Sequence, residues 1–144
     1  MILLDTNVLI YGFDPRSPMQ TWALGIIRSS LLGPGAAINP IILSELLVGE
    51  KSPDTLVTRL ITLGITILDL PSMAAPLCAD AYSRYLANRK QQPTSHAPKI
   101  PLPDFFIGAH AALLNLPLAT ADSGRYNTYF PEIKLITPPE IDAP

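Results

Sequence analysis

Cysteine is almost missing from this chain. Cys78 is the only one in 144 residues, which excludes an internal disulfide and any cysteine-rich zinc site. With only two histidines, the supply of zinc ligands is thin as well. Charge is sparse: 15% Asp, Glu, Lys and Arg against 48% hydrophobic residues. That balance excludes a disordered chain. No apolar run reaches the roughly 20 residues a membrane span needs. The start, Met1-Ile2-Leu3-Leu4-Asp5, has no basic region and meets an acid at once. A signal peptide is therefore not expected, and the expected compartment is the cytoplasm. The length predicts a single domain over residues 1–144, large enough to bury a core without staples. The formal charge of −2, from 12 acids and 10 bases, lacks the basic footprint usual in nucleic-acid binding.

Proline, by contrast, is abundant: 16 residues, well above the ordinary level of about 5%. Most prolines punctuate the boundaries between elements. Ser17-Pro18, Asn39-Pro40 and Ser52-Pro53 each pair a capping residue with proline at the first helical position. The first of these opens a helix through Trp22, Ile26 and Leu31, which Gly33-Pro34-Gly35 ends. The second opens a helix with Ile41, Glu45, Val48 and Gly49 on one face. The third runs to Gly64. A longer helix is predicted from Ser72 to about Lys90, and another over Asp104–Leu116. Met1–Asp5, Ala36–Asn39, Ile65–Leu70, Leu118–Ala121 and Lys134–Thr137 read as strands, with a short helix over Thr6–Phe13. Gln91–Pro103 holds four prolines and no periodicity, and reads as a loop. Strands alternating with helices imply an α/β fold with a parallel sheet covered on both faces. Ligands in such sheets bind beyond the C-terminal strand ends, where the strand order switches. Asp5 and Asp122 lie at such ends.

Four acids stand among apolar or small neighbours: Asp5, Glu45, Asp104 and Asp122. Burying a charge without a partner is very costly. No Lys or Arg is adjacent in sequence to any of the four, so a divalent cation is the economical partner. Oxygen donors suit Mg²⁺ or Mn²⁺. A cluster of acids with no nucleophile motif points to metal-assisted phosphodiester hydrolysis. Ordinary readings stand beside this one. Asp5 would cap the helix after it, Glu45 would lie on a polar helix face, Asp104 would favour a helix N-terminus, and Asp122 would make an Asx-turn before Ser123-Gly124.

Taken together, four segments resemble the PIN-domain nuclease family, and within it the VapC-type toxins of toxin–antitoxin pairs. They are Leu4-Asp5-Thr6-Asn7-Val8-Leu9-Ile10, Ser44-Glu45-Leu46-Leu47-Val48-Gly49, Pro103-Asp104-Phe105-Phe106-Ile107-Gly108-Ala109-His110-Ala111, and Ala119-Thr120-Ala121-Asp122 with Phe130 following. The resemblance implies a Rossmann-like sheet of order 3-2-1-4-5, which sets Asp5 beside Asp122. It also implies metal-dependent ribonuclease activity with Mg²⁺ or Mn²⁺, a homodimer, and a small antitoxin as inhibitor. Asp5 and Asp104 would then hold the principal metal, Asp122 would bind it directly or through water, and Glu45 would assist by orienting a water or the leaving oxygen. Thr6 and Thr120 would position these carboxylates. Many relatives carry a basic residue just before the fourth acid, where this chain has Ala121. Many have a further acid or asparagine a few residues on, for which Asn127 is the candidate here.

Other residues have competing readings. Asn7 reaches either the metal shell or local backbone. The helical register does not place His110 with Asp104, so a surface or dimer-contact histidine is expected. Trp22, Phe105 and Phe106 read as core or interface. Arg84, Arg89, Lys90, His96 and Lys99 surround the long loop as a solvated face or an RNA-backbone contact. A rival function is a catalytically silent PIN fold that binds RNA or protein. A phosphatase using Asp5 as nucleophile would want a second aspartate two residues on, where Asn7 stands. If the four acids form one site, eight acids remain against ten bases, and the exterior is mildly basic.

Overall fold

A computed structural model describes residues 1–92 and 96–140. Five short strands form one parallel sheet: β1 (Ile2–Leu4), β2 (Ala36–Ile38), β3 (Thr66–Ile67), β4 (Leu118–Ala119) and β5 (Leu135–Ile136). Their order is β3-β2-β1-β4-β5, the order the resemblance implies. Leu3 pairs with Ala37 on one side and Leu118 on the other. Leu3, Leu4, Ala37 and Ile38 are wholly buried. Such continuous apolar strands are what a parallel sheet covered on both faces demands.

The connections are helical: α1 (Thr6–Phe13), α2 (Gln20–Leu32), α3 (Pro40–Leu47), α4 (Pro53–Leu63), α5 (Ala74–Lys90), α6 (Leu102–Leu114) and α7 (Gly124–Tyr129). The Asn39-Pro40 start is realised in full. Asn39 Oδ1 accepts from Ile42 N at 3.0 Å, and Pro40 opens the helix. The Ser17-Pro18 start is displaced: Ser17 Oγ accepts from Met19 N in a turn, and α2 begins at Gln20. α5 likewise begins two residues after Ser72, which leaves Pro76 in its first turn, where no helical N–H is lost. α6 begins two residues before Asp104 and keeps that acid in its first turn. α4 stops at Gly64, whose φ of +97° is the left-handed cap glycine provides. α3 ends at Leu47, so Val48 and Gly49 leave the predicted helix face. Only Thr66–Ile67 of the predicted Ile65–Leu70 strand pairs, at the sheet edge. Of the predicted Gln91–Pro103 loop, residues 93–95 lie outside the described set; the rest is irregular until α6 begins.

α7 is absent from the sequence reading. Six residues are too few to show a helical period. An aromatic cluster docks it: Phe105 of α6 lies 5.3 Å from Tyr85, 5.7 Å from Tyr129 and 6.2 Å from Phe130, centroid to centroid. Tilted and edge-on pairs of this kind add to the hydrophobic gain of burial. The fit is tight at Gly108, where a Cβ would lie 2.4 Å from the Phe130 ring.

His110 corrects an expectation. It is fully buried, not at the surface. α6 packs against both α3 and α5, and Ile107 through Ala111 are buried without a break, so helical register alone finds no solvent face. Asn39 Nδ2 lies 3.2 Å from His110 Nδ1. Because Asn39 Oδ1 is committed to Ile42 N, its amide must donate to Nδ1. His110 is therefore neutral, with its proton on Nε2, which has no partner among the described residues. Burial pushes its pKa below the usual 6.5.

Two outcomes follow. Gly108→Ala forces the Phe130 ring aside and lowers the unfolding free energy by about 1–3 kcal/mol, measured by urea denaturation. For His110 the unfolded chain takes up a proton first, so its contribution is full above pH 6.5 and falls as pH drops below it. The difference in stability between wild type and His110→Gln should shift against wild type between pH 7 and 5; a pH-independent difference would contradict the buried neutral ring.

Candidate active site

At the C-terminal ends of β1 and β4 the chain opens into a cleft of about 220 Å³, lined by Asp5, Glu45, Asp104 and Asp122 together with Thr6, Asn7 and Arg125. The topology explains the meeting. Asp5 N donates to Ala119 O at 2.9 Å, so Asp5 prolongs the β1–β4 ladder by one residue. Asp122 follows β4 by three residues. Glu45 comes from α3 and Asp104 from the first turn of α6.

Asp5 is the most enclosed of the four, at 7% exposure. It also caps α1, accepting from Thr6 N at 2.8 Å through Oδ1. Its Oδ2 accepts from Thr120 Oγ1 at 2.8 Å and from the Tyr126 hydroxyl at 3.0 Å. Burial raises its pKa, against the pull of these donors. Glu45 is exposed at the rim, yet its pKa is raised too, first by desolvation and then by the charge of Asp104. Asn7 straps the two strand ends together. Its Oδ1 accepts from Ala121 N at 3.0 Å, and its Nδ2 lies 3.4 Å from Thr120 Oγ1. Its backbone partner is thus 114 residues away in sequence, not local. Thr120 positions Asp5 directly. Thr6 holds Asp5 through its backbone N–H; its buried hydroxyl lies toward Glu45 and lowers that group's pKa, without a full hydrogen bond among the described residues. Asn127 is exposed on α7 and does not line the cleft.

Arg125 and Tyr126 are missed by the sequence reading. A search for a base adjacent to each acid passes over Arg125, which stands three residues after Asp122. A helical turn would have linked the two, but α7 carries no visible period. Arg125 donates to Asp104 Oδ2 at 2.8 Å and to Asp122 Oδ2 at 3.2 Å. Burial opposes its charge, but the acids outweigh burial and hold it protonated. Burial also keeps the Tyr126 hydroxyl protonated, as a donor to Asp5. Nothing in the local sequence marks Tyr126 out.

Three of the bases around the long loop have partners within the fold. Arg84 donates to Asp80 and to Tyr129 O, Arg89 donates to Ala97 O, and the Lys99 ammonium lies 6.0 Å from the Tyr82 ring centre. Phe105 is core, as expected, and Trp22 and Phe106 are partly buried against it.

The cleft's donors suit a hard divalent cation. Its lining offers carboxylate oxygens and the unsatisfied Thr6 hydroxyl, and one guanidinium faces four acids. Among the described residues, no three Asp, Glu, His or Cys side chains are already gathered closely enough to hold an ion between them. Arg125 stands between two of the four.

The chain matches the family described as PIN domain over residues 2–131. No curated protein matches it. Solved structures do. A toxin–antitoxin complex from Klebsiella pneumoniae contains a chain 27% identical, with a TM-score of 0.59, covering 98% of this chain and 100% of that one. FitAcB from Neisseria gonorrhoeae is 25% identical with a TM-score of 0.65, over 94% and 96% of the two chains. VapC20 from Mycobacterium tuberculosis, a toxin that cleaves the sarcin-ricin loop, shares the fold at 12% identity and a TM-score of 0.63, over 93% and 99%.

The desolvation of Glu45, with the charges of Asp104 and Asp5 beside it, has a measurable cost. A carboxyl whose folded pKa is raised stabilises the fold fully only below its unfolded value, about 4.5 for Glu45, and loses that contribution as pH rises through the folded one. Glu45→Gln removes the loss. In divalent-free buffer its Tm should gain on wild type as pH climbs from 4 to 7. A gain that is constant with pH would mean Glu45 is not strained by its neighbours.

Proposed function

Since the chain belongs to the PIN domain family, we propose that it is the nuclease toxin of a toxin–antitoxin pair, a Mg²⁺- or Mn²⁺-dependent endoribonuclease that hydrolyses RNA phosphodiester bonds. The observation that carries this reading is the meeting of Asp5, Glu45, Asp104 and Asp122 in one cleft at the β1–β4 edge. A chain of this fold occurs in a toxin–antitoxin complex, and another is a toxin that cleaves the sarcin-ricin loop. The domain is read as the whole of residues 1–144: β5 lies beyond the matched segment, yet completes the sheet beside β4.

Asp5, Asp104 and Asp122 would hold the ion, with Asp5 fixed in orientation by Thr120, Tyr126 and the Thr6 N–H. The bound ion supplies Lewis acidity toward the phosphodiester and neutralises charge that builds up in the transition state. Glu45, at the rim, orients the attacking water and accepts its proton. The water oxygen bonds to phosphorus as the phosphorus–oxygen bond to the leaving strand breaks; the departing oxygen keeps that electron pair and takes a proton from solvent, with no covalent enzyme intermediate. Asn7 keeps the β4 end in register with Asp5. A small antitoxin, a homodimeric assembly and a cytoplasmic site of action go with this reading; among the described residues, no helix is long and apolar enough to cross a membrane.

One observation favours a second reading, a catalytically silent PIN fold that binds RNA or protein. Arg125 already pairs with Asp104 and Asp122, so half of the acid set has a partner without metal.

Asp5→Asn separates the two. On a labelled RNA, with circular dichroism showing the fold intact, cleavage should fall about a hundredfold or more. Chelation should abolish wild-type cleavage, and Mg²⁺ or Mn²⁺ should restore it. Undiminished cleavage by the variant would sink the proposed mechanism, and an absence of cleavage by wild type with either metal would support the silent reading.

A further inference from the structure

We propose that Arg125 is the resident counter-ion of the acid cleft, and that a divalent cation binds there by exchanging with it. The inference rests on the metal-dependent reading above.

Three observations carry it. First, the guanidinium spans two acids from different elements, reaching Asp104 of α6 with one nitrogen and Asp122 with the other. The rigid fork of arginine suits this bridging; a lysine ammonium would meet one carboxylate at a time. Second, the contact to Asp104 is the shorter and the more enclosed, with the two side chains 28% and 18% exposed. Ion pairs of that kind are screened far less than surface pairs. Asp104 Oδ2 already accepts from the guanidinium, and a cation on that carboxylate would sit beside the Arg125 charge, so the two cations disfavour each other there. Third, the backbone beneath Arg125 is pinned. Tyr126 is bonded to Asp5, Arg84 donates to Tyr129 O, and Phe130 packs on Gly108. Exchange therefore needs only the Arg125 side chain to swing outward, while α7 stays in place.

This arrangement gives Arg125 two opposite effects. Without metal it offsets the repulsion among the acids and stabilises the fold. With metal it is a competitor, and it sets how much free cation the site needs.

Calorimetric titration of Mn²⁺ into the full-length wild type, Arg125→Gln and Arg125→Lys tests the exchange. Arg125→Gln should bind at least tenfold more tightly than wild type, with Arg125→Lys between them. In thermal melts, the metal-free Tm of Arg125→Gln should lie below that of wild type, while its rise on adding Mn²⁺ should be the larger. If Arg125→Gln does not fold, a several-fold tightening by Arg125→Lys is the deciding result. Equal or weaker Mn²⁺ binding by the variants, with binding intact in wild type, overturns the exchange and leaves the metal-dependent reading standing. No Mn²⁺ binding by any of the three overturns both.

Discussion

The gathering of four carboxylates in one partly enclosed cleft is the constraint around which this site is arranged. An Asp or Glu at a protein surface needs no partner. Four of them around one partly enclosed cleft must be held there by something else. The sheet does the first part, because β1 and β4 are neighbours and end beside each other. Hydrogen bonds do the second. Asp5, the deepest, receives a backbone N–H and two hydroxyls, and charge-assisted bonds of this sort are roughly twice as strong as neutral ones. Arg125 does the third. Burial, ahead of any neighbouring charge, raises the pKa values of Asp5 and Glu45 despite these measures.

α7 links the site to the core. One end presents Arg125 and Tyr126 to the acids, and the other passes into Tyr129 and Phe130 in the aromatic cluster around Phe105. Packing in that cluster is therefore a condition for the electrostatics of the cleft. Gly108 belongs to the same packing: the absence of its side chain lets Phe130, which follows α7, approach α6.

Much of this was legible in the sequence, for physical reasons that differ between residues. Asp5 and Asp122 follow apolar strands, and strand ends at a switch point are where α/β sheets place their chemistry. Asn39-Pro40 marks a helix start because cap and proline both act locally. Glu45 stands on a helix whose period is readable. Arg125, Tyr126 and α7 were not legible, because a six-residue helix shows no period and the value of Tyr126 lies in a contact 121 residues away. His110 was misplaced for a related reason: α6 is covered on more than one side, so its register does not say which face meets water. The charge balance changes as well. One of the ten bases sits inside the cleft, which leaves nine against eight acids elsewhere. The exterior is closer to neutral than the sequence alone implied.

The buried pair of Asn39 and His110 lies away from the acids, but it ties together the two helices that carry Glu45 and Asp104. Asn39 starts the helix that carries Glu45, six residues on, and His110 follows Asp104 by six on the other helix. Their hydrogen bond rivets α3 to α6 at one point. Glu45 and Asp104 thus stand on two helices fastened to each other inside the core, and the cleft they line inherits that fastening.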